Sequence, residues 1–85
     1  MKLLVFGKPE LRVDQIGFDK LLKRCRQADW QLVERAGTSR DDMATMAIYD
    51  VVQTPAMVIV QDDGKPSQIW QHRVPSYEEM ATYYL

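Results

Sequence analysis

The sequence predicts an α/β sandwich, a four-stranded mixed sheet with helices on both faces in the order β-α-β-α-β-β-α. Three observations carry that reading. Two short apolar runs near the start, KLLVF and WQLVERAG, flank a stretch whose apolar residues recur every three or four positions. Two more runs, AMVIVQ and SQIWQHR, are separated only by DDGKP. Serines at 39 and 76 each precede further residues at helical spacing.

KLLVF, residues 2–6, is continuously apolar and closed by Gly7 and Pro9, as in a strand covered on both faces. From Asp14 the period becomes helical. Ile16, Phe18, Leu21, Leu22, Cys25 and Ala28 form the inner stripe, while Lys20, Lys23, Arg24, Arg26 and Gln27 face outward. Asp14 is the expected cap, its carboxylate accepting free N–H groups at the positive end of the helix. Residues 30–37 read as a second strand, parallel to the first across a right-handed β-α-β crossover. Thr38 and Ser39 cap a second helix over residues 40–50, with Met43, Met46 and Ala47 inward. Asp63-Gly64 then turns two antiparallel strands, because glycine tolerates the positive φ of a tight turn. Ser76-Tyr77-Glu78-Glu79 has the form of a capping box, opening a last helix with Tyr77, Met80, Ala81 and Tyr84 inward.

Eighty-five residues suit one domain, residues 1–85, burying roughly 60–65% of its unfolded surface. With 11 basic and 12 acidic residues scattered along the chain, the net charge of −1 offers no footprint for nucleic acid or an anionic membrane. The apolar run at residues 3–6 is too short for a signal-peptide core or a membrane span, so a cytoplasmic location is expected. One cysteine and one histidine, Cys25 and His72, make neither an internal disulfide nor a metal-ligand pattern, and no cofactor is expected.

One junction does not suit a plain strand. Thr54-Pro55 abuts AMVIV, one of the most apolar runs in the chain, although proline has no N–H to give a sheet. With TP leading into the third strand, DDGK closing the hairpin and GKP after the first strand, the chain resembles the thioredoxin-like fold in its short, glutaredoxin-sized form. The resemblance covers essentially the whole chain. It implies that Pro55 is held cis at the strand's entry and that Thr54 offers its backbone to an extended peptide. It also implies where redox members carry C-x-x-C, and those positions fall near Leu11 and Asp14, neither of which has sulfur. The segment QHRVPSYEE likewise lacks the Gly-Gly and paired Asp with which glutaredoxins hold glutathione.

The remaining candidates have plain structural readings. Cys25 is the weak catalytic candidate, and its place on the apolar stripe makes it a small buried hydrophobe with a raised thiol pKa. The methionines serve as core filler, Trp30 and Trp70 as packing residues, and His72 as a solvated residue of the last strand. Glu10 and Asp14 are explained as a loop acid and a cap.

The expected function is a redox-inactive thioredoxin-like module that binds a protein or peptide at the cis-proline loop. Its site comprises Lys8, Leu11, Arg12, Asp14, Val52, Thr54, Pro55 and Arg73, with Lys8, Arg12 and Arg73 making the rim basic and favouring an apolar segment flanked by acids. Two other classes fit the same order of elements. One is a thiol-disulfide oxidoreductase or glutathione-linked enzyme with a non-standard site. The other is a fold-switching signalling module like the KaiB family, which also has TP before the third strand.

Overall fold

In the computed structural model, which describes residues 1–84, seven elements follow in the expected order. They are β1 (Lys2–Phe6), α1 (Arg12–Gln27), β2 (Leu32–Arg35), α2 (Arg40–Ile48), β3 (Ala56–Val60), β4 (Pro66–Gln71) and α3 (Tyr77–Ala81). The sheet order is β2-β1-β3-β4. β1 runs parallel to β2, with Leu3 opposite Leu32, and antiparallel to β3, with Leu4 opposite Val58. β3 is antiparallel to β4, Val58 facing Ile69, with a bulge at Ile59/Val60.

The strict side-chain alternation of the two central strands divides the core into two layers. Leu3, Val5, Met57 and Ile59 face α1 and α3, where Phe18, Leu21, Leu22, Cys25 and Met80 close over them. Leu4, Phe6, Ala56, Val58 and Val60 face α2 and, among the described residues, meet Met46 and Val51 as buried partners, with Val33, Tyr49 and Ile69 partly buried against them. Each large apolar side chain buried this way contributes about 1.5–3 kcal/mol, so the α1 layer carries most of the burial.

The structure corrects several boundaries. α1 begins at Arg12 with Leu11 in the cap position and no side-chain cap, so Asp14 lies in the first turn instead of capping it. The cause is the preceding loop: the Gln15 amide donates to the Pro9 and Glu10 carbonyls, at 2.8 and 3.3 Å, and seats the chain for an earlier start. Ile16 and Met43 are exposed, because α1 buries Phe18, Leu21, Leu22 and Cys25 instead and α2 buries Met46. α2 stops at Ile48, followed by Tyr49 as C-cap and Asp50 at φ 58°. β2 is shorter than residues 30–37, since Trp30 leaves the strand to stack on Tyr84, centroids 4.2 Å apart, and on Tyr77 at 5.2 Å. β4 ends at Gln71; His72 at φ 57° turns the chain and is not a strand residue. Ser39 and Ser76 do cap α2 and α3, accepting from the N–H groups of Asp42 and Glu79.

Candidate functional site

At the end of the sheet where β1 and β2 finish and β3 begins, three loops converge. The Thr54–Pro55 bond is cis, and Pro55 gives its carbonyl to the His72 N–H at 2.8 Å, which ties the entry of β3 to the exit of β4. The Thr54 side chain fills the space between the two loops that follow the parallel strands. A methyl group added at Gly7 would lie 2.9 Å from Thr54 Cβ, and one at Gly37 would lie 3.2 Å from Thr54 Cγ2. Both glycines have positive φ, +71° and +81°, so lack of a side chain serves the turn and the close approach together. Held this way, Thr54 has no partner among the described residues for its N–H or its carbonyl.

Beside Pro55 opens a groove of about 890 Å³ between the first turns of α1 and the turn joining β4 to α3. Its apolar walls are Leu11, Val13 and Phe18 on one side and Val74, Pro75 and Tyr77 on the other. Leu11 and Val13 are 65% and 72% exposed, large apolar side chains that the chain itself leaves uncovered.

The expected site residues divide. Leu11, Asp14, Pro55 and Arg73 line this groove. Lys8 and Thr54 line a second hollow of about 540 Å³ on the other side of the proline loop, with Gly7, Glu34 and Arg35. Arg12 and Val52 line neither. Val52 is displaced because its N–H donates to the Gln71 side chain at 2.9 Å, holding residue 52 beside β4. Nor is the groove's rim basic as expected. Arg73 pairs with Glu79, Arg24 with Glu78 at 2.9 Å, and the lining acids Glu10 and Asp14 offset Lys20.

Glu79 is the residue that sequence reasoning assigned too small a role. Its carboxylate does not return to the Ser76 N–H; it accepts from the Trp70 indole at 2.9 Å and from Arg73. Those two bonds, the indole first, hold its carboxyl below the usual carboxylate range. One side chain thereby joins β4, the turn and α3, and fixes the groove wall at residues 73–76. The only sequence cue was an acid at the third helical position, which suggests a capping box.

Cys25 is fully buried among Leu21, Leu22 and Met57 in the larger core layer. Burial pushes its thiol up to about 11, against smaller downward pulls from Arg24 and Arg26. Among the described residues, no group of three His, Cys, Asp or Glu side chains is placed to hold a metal ion, and no helix is long and apolar enough to cross a membrane.

No family model matches the chain, and no curated protein matches it. Among solved structures it is similar to thioredoxin 1 from the thermophilic eubacterium Thermosipho africanus TCF52B, with 16% identity and a TM-score of 0.69. The match covers 98% of this chain and 89% of that one. The chain therefore has the thioredoxin-like fold, with the expected element order and mixed four-stranded sheet.

Proposed function

We propose that this protein binds an extended segment of a protein partner in the groove between α1 and the β4–α3 turn, without thiol chemistry of its own. The observation that carries the reading is the backbone of Thr54, unpaired among the described residues and joined directly to Pro55, which lines the groove. An N–H and a carbonyl held apart from the sheet ladder can pair with an added strand, and main-chain bonds of this kind supply affinity while neighbouring pockets supply specificity. Leu11, Val13 and Val74 offer such a pocket, and covering them removes apolar surface from water at about 25 cal/mol per Å².

The groove's own charges alter the expected ligand. With Arg24 and Arg73 satisfied by Glu78 and Glu79, an acidic flank gains little from them, and the apolar part of the ligand dominates. Against a thiol enzyme stands the one sulfur nucleophile in the chain, buried and with a pKa of about 11, so that almost none of it is thiolate at neutral pH. The positions nearest the family's reactive pair are Leu11 and Asp14, at the mouth of the groove.

Selection from a displayed library of short peptides tests the proposal. Enriched peptides are expected to be apolar at their centre and to bind Val13→Asp at least roughly tenfold more weakly, the cost of about 1.4 kcal/mol for charging an exposed wall. Enrichment of nothing, or of peptides indifferent to Val13→Asp, would count against it.

A further inference from the structure

The two edges of the sheet are built differently. β2 carries Glu34 and Arg35, and Glu34 is paired with Arg26, so that edge presents charge to any approaching strand. β4, Pro66–Gln71, has no charged residue along its whole length. In an antiparallel ladder, alternate residues turn their backbone groups to the neighbouring strand and away from it. His72 donates to Pro55, the residue just before β3, so Trp70, two residues back, faces Met57 of β3 in the same way, while Ile69 and Gln71 turn their N–H and carbonyl groups outward. The Ile69 N–H confirms this orientation, because it finds its acceptor in the side chain of the adjacent Gln68, at 3.2 Å. Among the described residues, the Gln71 N–H and both outward carbonyls have no partner.

From this edge we infer that the occupant is a second copy of the chain, joined β4 to β4 in antiparallel pairing about a twofold axis at Trp70. Self-pairing sets each strand against its own sequence reversed, so a charged edge would meet charge across the axis; an uncharged one does not. With Trp70 opposite Trp70 of the second copy, Ile69 stands opposite Gln71 of that copy, and the pairing uses just the outward groups. Four main-chain hydrogen bonds result, after the Gln68 amide swings away from the Ile69 N–H. The Val52 side chain, 83% exposed and held next to Gln71 through its own N–H, then meets the half-buried Ile69 of the second copy. Two such apolar contacts flank the axis. At the other end, Ser67 is bonded to the Tyr83 carbonyl and takes no part. The result is one eight-stranded sheet, leaving the groove beside Pro55 outside the interface, so this inference does not depend on the peptide-binding reading.

The interface is smaller than the roughly 1,200–2,000 Å² of stable complexes, so association is expected in the high micromolar range. Sedimentation equilibrium of the full chain tests it. The mass is expected to rise from 9.9 kDa towards about twice that value as concentration approaches about 1 mM, and Val52→Asp, which sets a charge against Ile69, is expected to stay monomeric. Amide exchange of the unmodified chain gives a second readout. The Ile69 and Gln71 amides are expected to exchange at least roughly tenfold more slowly at the high concentration than at about 10 μM. A mass that remains at 9.9 kDa, exchange at these two amides independent of concentration, or a Val52→Asp protein that dimerises as the parent does would each overturn the proposal.

Discussion

Gly7→Ala is the substitution whose cost is most closely fixed by the geometry. At φ +71° an L-residue pays about 1–2 kcal/mol relative to the ordinary helical or extended regions. The new methyl group would also sit 2.9 Å from Thr54 Cβ, 3.2 Å from its Cγ2 and 3.3 Å from its Oγ1. Carbon pairs are most stable at about 3.5–4.0 Å, so the whole residue has to retreat, at the roughly 1–3 kcal/mol typical of overpacking. Together these give about 2–5 kcal/mol, a large part of the roughly 4–13 kcal/mol expected for a domain of this length. Urea denaturation measures it, with an unchanged slope showing that the unfolded state is the same. Gly37→Ala shares the positive φ but clashes only with Thr54 Cγ2, at 3.2 Å. Thr54→Ser removes that carbon, so it is expected to recover part of the loss in Gly37→Ala and little of the loss in Gly7→Ala, where the Cβ contact persists. Because Thr54 borders the proposed site, Gly7→Ala is also expected to weaken peptide capture in protein that remains folded. A loss below about 1 kcal/mol for Gly7→Ala, or equal rescue of both glycine variants by Thr54→Ser, would refute this reasoning.

Three other outcomes follow from the structure. Cys25 is expected to resist thiol reagents until the protein unfolds; moreover, with its pKa raised from 9.0 to about 11, the unfolded chain ionises first, so stability from this group is complete below pH 9 and is lost as pH rises through 11. Thermal melts should show Cys25→Ala costing roughly 0.5–2 kcal/mol at neutral pH and flattening that alkaline decline. Asp29 and Asp50 follow α1 and α2 in left-handed conformations, φ 62° and 58°, with a negative charge at the negative helix end; replacing either with Gly is expected to stabilise by about 0.5–1 kcal/mol, read as a raised urea midpoint. Glu79→Ala, which strands the Trp70 indole N–H, is expected to lower the melting temperature more than Glu78→Ala, which removes only the pair with Arg24. Since the Glu79 carboxyl is held below its ordinary value of 4.5, its stabilisation is present above that pH and is lost as pH falls through the folded value, so the difference from Glu79→Gln is expected to vanish in acid.

Local chemistry made most of the fold legible. Ser39 and Ser76 cap through side chains that bond within three residues, Asp63-Gly64 turns the hairpin with Gly64 at φ +89°, and uninterrupted apolar runs mark β1 and β3. What escaped depends on partners distant in sequence. Trp30 looks like a strand residue until Tyr77 and Tyr84, about fifty positions away, draw it into a stack. The Tyr84 hydroxyl reinforces that arrangement by accepting from the Gln31 N–H and donating to the Met1 carbonyl. In the candidate site, Pro55 and the first turn of α1 were marked by the TP step and by the loop after β1. The division of Lys8 and Thr54 from Leu11, Asp14 and Arg73 was not, because which side of a proline loop a residue faces is set by backbone direction. The neutralisation of Arg73 by Glu79 also lay beyond periodicity, since helical spacing places an acid on α3 without saying that it reaches across to the turn.

Chemical-shift mapping of the ¹⁵N-labelled chain with a selected apolar peptide tests the central claim, that an extended segment binds beside Pro55, most directly. Perturbations are expected at Leu11, Val13, Asp14, Thr54 and Val74, with exchange of the Thr54 amide slowed on binding as its free N–H gains an acceptor. Perturbations confined to the outer surface around Lys23, Arg26 and Gln27 or around Tyr83, with Thr54 and the first turn of α1 unmoved, would contradict it.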